Sequence, residues 1–186
     1  MNEYEQEIAD EIRIRVWSGF HSLSDVLEML EDYDDDDADK QMLEEVAKSE
    51  FQAKREDEAT WPPITDCVRL DAAFDALNQM GIIALHYAGY TMSDGLDEVG
   101  VALQEAAEGD KVKGYCFYHA QDVARAVDGD GLWLAYGDLA DTASGKRAIG
   151  ELVKVELERQ GLIVKWDGDE ETRIDLPSIV WQRRAA

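Results

Sequence analysis

The paired prolines of Trp61-Pro62-Pro63 constrain this chain more than any other feature. Each proline fixes its own φ and lacks an amide proton, and each pushes the residue before it out of the helical region. No helix can run through this point. The sequence also changes character here. Before the break only helical periodicity is visible, and after it short apolar runs alternate with helical stretches.

In residues 1–60, Tyr4, Ile8, Ile12 and Val16 recur at four-residue spacing, and Trp17 and Phe20 extend the stripe. His21-Ser22-Leu23-Ser24 interrupts it. Ser22 or Ser24 can cap a second helix carrying Leu23, Val26, Leu27 and Leu30. Leu43, Val46, Ala47 and Phe51 suggest a third.

Beyond the prolines, a helix is expected over residues 66–80, stopped by Gly81. Strands are expected near residues 82–87, 114–119 and 131–136, with helices near 93–107, 122–127 and 144–160. Residues 162–166 and 172–176 resemble a hairpin around Asp167-Gly168-Asp169, and Ile179-Val180-Trp181 could add an edge strand. The expected class is α/β or α+β. The expected architecture is a small, mixed, mostly parallel sheet with flanking helices and a C-terminal hairpin. It divides as an acidic helical segment, 1–60, and an α/β domain, 61–186, with one compact unit overall as the alternative.

The charge is lopsided, with 18 basic against 42 acidic residues, net −24. Residues 1–60 alone hold 20 acidic and 6 basic side chains, net −14. Such a surface has no excess of cations to displace counterions from phosphates, so neither nucleic acid nor a membrane is an expected partner. A basic protein is. The bland alternative is a solvated acidic surface with no partner.

No apolar run approaches the roughly 20 residues that span a bilayer, and the acidic opening is unlike a secretory signal, so a cytoplasmic location is expected. Cys67 and Cys116 each adjoin an apolar residue and are expected to be buried free thiols.

One geometric feature suggests chemistry. Ligands of open parallel sheets bind beyond the carboxyl ends of the strands. His86 and His119 each follow an apolar run of similar length, so both should lie at one sheet edge. Tyr87, Tyr90, Gln121, Asp122, Tyr136 and Asp138 would crowd the same rim, with the helix opening near Ser93 pointing its amides there. Two imidazoles and a carboxylate suit acid–base work near neutral pH, or a divalent ion. The plainer reading is that the histidines merely end their strands and Asp122 caps its helix. No metal site is assigned, and no pattern names a cofactor.

Other motifs fail on inspection. Strand alternation puts Cys116 and His119 on opposite faces, which argues against a nucleophile–base pair. Asp32, Asp34 and Asp36 imitate the first ligands of a calcium loop, but Asp37 replaces the required glycine and Leu43 the closing glutamate. Ser144-Gly145-Lys146-Arg147 lacks the remaining residues of a phosphate-binding loop.

Val68-Arg69-Leu70-Asp71-Ala72-Ala73-Phe74, Gly114-Tyr115-Cys116-Phe117-Tyr118-His119-Ala120-Gln121-Asp122, Leu132-Trp133-Leu134-Ala135-Tyr136-Gly137 and Val164-Lys165-Trp166-Asp167-Gly168 resemble an uncharacterised bacterial "domain of unknown function" family. The resemblance spans about residues 66–184. It implies a bacterial cytoplasmic protein and brings no activity with it. Two functional expectations follow from the residues themselves. The first is a non-catalytic binding or regulatory protein using its acidic surface. The alternative is a small-molecule binder or enzyme with a strand-end site around His86, His119 and Asp122.

Overall fold

The structure, a computed structural model, describes residues 1–33, 38–106 and 112–185. Asp34 and Asp36 of the calcium-like loop and Ala107 at the end of its expected helix lie outside the described residues. Two compact units make up the chain. One is Met1–Thr65 together with the segment beginning at Gln182, and the other is Asp66–Trp181.

The first unit contains α1 (Glu3–Ser18), α2 (Leu23–Glu31) and α3 (Lys40–Glu58). Local chemistry sets each boundary. Asn2 and Glu5 form a reciprocal capping box at the start of α1, and Ser22 and Asp25 do the same for α2. Gly19 ends α1 in the left-handed region at φ 80°, and Asp39 caps α3. Such caps are worth about 1 kcal/mol each. The four-residue stripe becomes the core: Ile8, Ile12 and Val16 bury against Val26, Leu30, Leu43, Ala47 and Phe51. Tyr4, placed in that stripe by spacing, stays exposed and meets the edge of Tyr33. Arg184 donates to the carbonyls of Trp61 and Pro62, at 3.3 and 2.9 Å, and the Ala185 amide donates to Glu58.

The second unit runs α4 (Asp66–Gln79), β1 (Ile82–Leu85), α5 (Met92–Glu105), β2 (Gly114–Phe117), α6 (Ala120–Val127), β3 (Leu132–Asp138), α7 (Ala143–Arg159) and β4 (Ile174–Leu176). The sheet order is β1-β2-β3-β4. The class is α+β, with a mixed sheet, and "mostly parallel" is too loose a description of it: among the described residues β1 and β2 are parallel, whereas β2–β3 and β3–β4 are antiparallel. The path after β2 sets this direction, through α6, a helix of 8 residues. The chain stays at the edge where β2 ends, turns through Gly129 and Gly131 at φ 86° and 84°, and enters β3 from that same edge. The expected hairpin contracts to one bridge between Lys165 and Asp175, and β4 pairs with β3 instead. Ile179-Val180-Trp181 forms no strand.

Strand alternation distributes the core between two faces. Gly114, Cys116 and Tyr118 face α4 and α7. Tyr115 and Phe117, with Leu85 and Ala135, pack against Val99 and Met92 of α5. Gly95 permits this approach, because a β-carbon there would run into the Phe117 ring. Cys67 and Cys116 are buried and form no disulfide with each other, as expected. No helix among the described residues is long and apolar enough to cross a membrane.

Candidate functional site

The parallel β1–β2 pair brings the beginnings of α5 and α6 to one sheet edge. Beyond the strands the pairing persists: the Ala88 amide donates to the Tyr118 carbonyl at 2.9 Å, and the Ala120 amide to Gly89 at 3.0 Å. Just before these bonds Tyr87 is held at φ 52°, uncommon for a bulky residue.

His86 and His119 both lie at this edge, on opposite faces of the sheet. The register aligns Leu85 with Phe117, so His86 falls beside Tyr118 rather than His119. His86 stacks on Phe74 at 4.4 Å on the α4 face. Its Nδ1 is 2.7 Å from the Tyr118 hydroxyl, and its Nε2 is 3.5 Å from Asp71. His119 continues the alternation of Tyr115 and Phe117 on the α5 face.

There His119, Gln121 and Asp122 line a cleft of about 540 Å³ with Thr91, Met92, Ser93, Arg125, Trp133 and Arg173. The Asp122 carboxylate is its electrostatic hub. It is 2% exposed, receives the Arg173 guanidinium at 2.6 Å and accepts the His119 backbone amide at 3.1 Å. Arg173 also donates to the Trp133 carbonyl at 3.0 Å. His119 Nδ1 lies 3.2 Å from Asp122 but has no hydrogen-bond partner. Burial holds this imidazole below its usual value and Arg173 adds to the effect, against the opposing pull of Asp122 and Asp94. The ring is therefore mostly neutral at neutral pH.

Arg125 differs from Arg173. Its guanidinium carbon sits 4.2 Å from the centroid of the Trp133 ring, and its Nε has no hydrogen-bond partner. Among the described residues it makes no ion pair. Trp133 alternates with the buried Leu132 and Leu134 and is 40% exposed at the mouth of the cleft.

The remaining expected rim residues go elsewhere. Tyr136 and Asp138 fall towards the other end of the sheet because β3 is antiparallel: Asp138 pairs with Gly114, at the start of β2. Tyr136 donates to the Asp169 carbonyl, and Asp138 accepts from Thr142 before α7. Tyr90 is exposed outside the cleft. Cys116 and His119 occupy opposite faces, and burial pushes the thiol up, so no activated nucleophile forms. Among the described residues, no three His, Cys, Asp or Glu side chains are grouped to hold a metal ion.

Sequence reasoning missed Arg125, Trp133 and Arg173. Arg125 lay within reach, three residues after Asp122 on one helix face. An exposed tryptophan between two buried leucines was a signal at Trp133. Arg173 gave none, since it comes in through the pairing of β4.

No curated protein and no solved structure matches this chain. A family model matches residues 1–185, taking in the helical segment that the motif resemblance left out. The chain thus belongs to the family described as a domain of unknown function, DUF6891.

Proposed function

We propose that this protein binds a small acidic molecule in the cleft between α5, α6 and β3. One observation carries the reading: Arg125 has no carboxylate partner among the described residues, in a chain with 42 acidic side chains. A guanidinium held over an exposed indole supplies fixed charge and a flat apolar surface together. A cleft with a few convergent polar groups is the usual form of a small-molecule site.

Thermal-shift screening of the full chain against a library of small acids tests this. A ligand at about 100 times its dissociation constant adds about 2.7 kcal/mol of stability. Arg125→Ala and Trp133→Ala should abolish the shift, and His86→Ala should leave it intact. Hits that survive both cleft substitutions would place the site elsewhere.

A second reading has its own support. Carboxylates of the helical unit stand in solvent, Glu45 at 69% side-chain exposure and Glu44 at 46%, as a surface for a basic protein requires. Binding of such a partner should weaken steeply with salt, since exposed charges are screened beyond about 8 Å at physiological strength. A salt-insensitive complex would argue against it.

A further inference from the structure

The basic partner of the helical unit can be given a more definite chemistry, on the premise that this unit is a surface for such a protein. We propose that the unit carries a groove for two adjacent arginines, and that the chain's own tail, residues 182–185, occupies this groove until the arginine pair of a partner displaces it.

The groove begins at the proline break. Helix α3 ends at Glu58, and the prolines that follow keep the carbonyls of Trp61 and Pro62 outside any helix or strand, open to other donors. The Arg184 guanidinium takes both carbonyls and lies 5.7 Å from the centroid of the Trp61 ring. One residue earlier, the Arg183 guanidinium sits 4.6 Å from the centroid of Phe20. Gly19 admits the tail, because a β-carbon there would fall 2.7 Å from both the Arg183 Cγ and its carbonyl oxygen. The Ala185 amide closes the set on Glu58 at 3.2 Å. Two rings, two carbonyls and a carboxylate thus receive two consecutive arginines and the amide after them. A planar, weakly hydrated guanidinium suits ring faces and paired carbonyls better than the compact ammonium of lysine.

The tail holds this place without being part of the core. The buried cluster of the helical unit runs from Ile8 to Phe51 and includes none of residues 182–185. Arg183 and Arg184 are half-buried and Ala185 is exposed. The tail is a polar strap, which can leave without opening a core cavity. Its two positive charges lie on a unit whose first 60 residues hold 20 acidic against 6 basic side chains. A segment of the same chain competes at an effective concentration on the order of 1 mM. An isolated arginine pair therefore meets a largely closed groove, and a partner with further basic contacts to the acidic face opens it.

The test uses the full chain carrying Arg183→Ser and Arg184→Ser, which empties the groove, and a fluorescent peptide copying residues 182–186, followed by anisotropy at fixed ionic strength. Saturable binding at least about tenfold tighter than to the parent chain, whose own tail competes, supports the proposal. Adding Phe20→Ala should then weaken the peptide about fivefold, the worth of one ring contact. Equal affinity for parent and variant overturns the proposal. If a peptide with lysines in place of both arginines binds the variant equally well, the groove fails and the acidic-surface reading stands. If no basic peptide binds, both fail. A concentration-dependent dimer of the parent that the variant loses would make the occupant a second copy's tail and overturn the assignment to a partner. Should the variant unfold, the parent decides by NMR: excess peptide must move the Trp61 indole and Ala185 amide resonances, and unmoved resonances overturn the proposal.

Discussion

Asp122→Ala is expected to destabilise the α/β unit by about 3 kcal/mol, measured as a fall in the urea midpoint of tryptophan fluorescence. The carboxylate is 2% exposed and holds both Arg173 and the His119 amide. Removing one partner of a buried pair costs about 3–5 kcal/mol, because the other charge is left uncompensated. Arg173 is 27% exposed and can recover some hydration, which sets the expectation at the lower end. The double variant Asp122→Ala with Arg173→Met should regain about 1 kcal/mol or more, since the stranded charge is gone. A single variant within about 0.5 kcal/mol of the parent, the range of an ordinary surface change, would show that the pair contributes nothing.

Phe74→Ala should cost as much or more, about 3–5 kcal/mol, by opening a cavity under a fully buried ring. Phe74 stacks on His86 at 4.4 Å and tilts against Tyr118 at 5.7 Å, and Tyr118 meets Trp181 edge-on at 5.9 Å. This aromatic group gives His86 a structural position on the α4 face. Phe74→Leu fills more of the space and should lose less. If both variants lose equally, the aromatic contacts matter more than the volume. Loss below about 1 kcal/mol in Phe74→Ala would mean that the site collapses around the missing ring.

Local rules made much of the fold legible. The helical segment follows from apolar spacing and from short side chains that cap only where they stand, such as Asn2, Ser22 and Asp39. The strands of the second unit follow from short apolar runs, and Gly81 stops α4 at φ 82°. Strand direction was not legible. A helix between two strands normally signals a parallel pair, yet after α6 the chain re-enters the sheet from the edge where β2 ends, which puts Tyr136 and Asp138 towards the other end. The separation of the histidines was partly readable. Once Ile82 and Gly114 are in register, His86 falls opposite Tyr118, and simple alternation puts His119 on the other face. Arg173 shows where such reading stops, because its partner Asp122 lies 51 positions away and only the β3–β4 pairing brings them together.

The pairing of residues 1–65 with the segment from Gln182 onward has a consequence for biogenesis. The helices α1 to α3 are synthesised first, but Arg184 and Ala185, which bond to Trp61, Pro62 and Glu58, are added after the whole α/β unit. The helical unit is interrupted, with an entire second unit inserted between its two pieces. The inserted unit can complete its contacts from one continuous stretch of chain as it emerges. The helical unit also has its core in one early stretch, from Ile8 to Phe51, but the bonds that tie Arg184 and Ala185 to it can form only after the second unit has been synthesised.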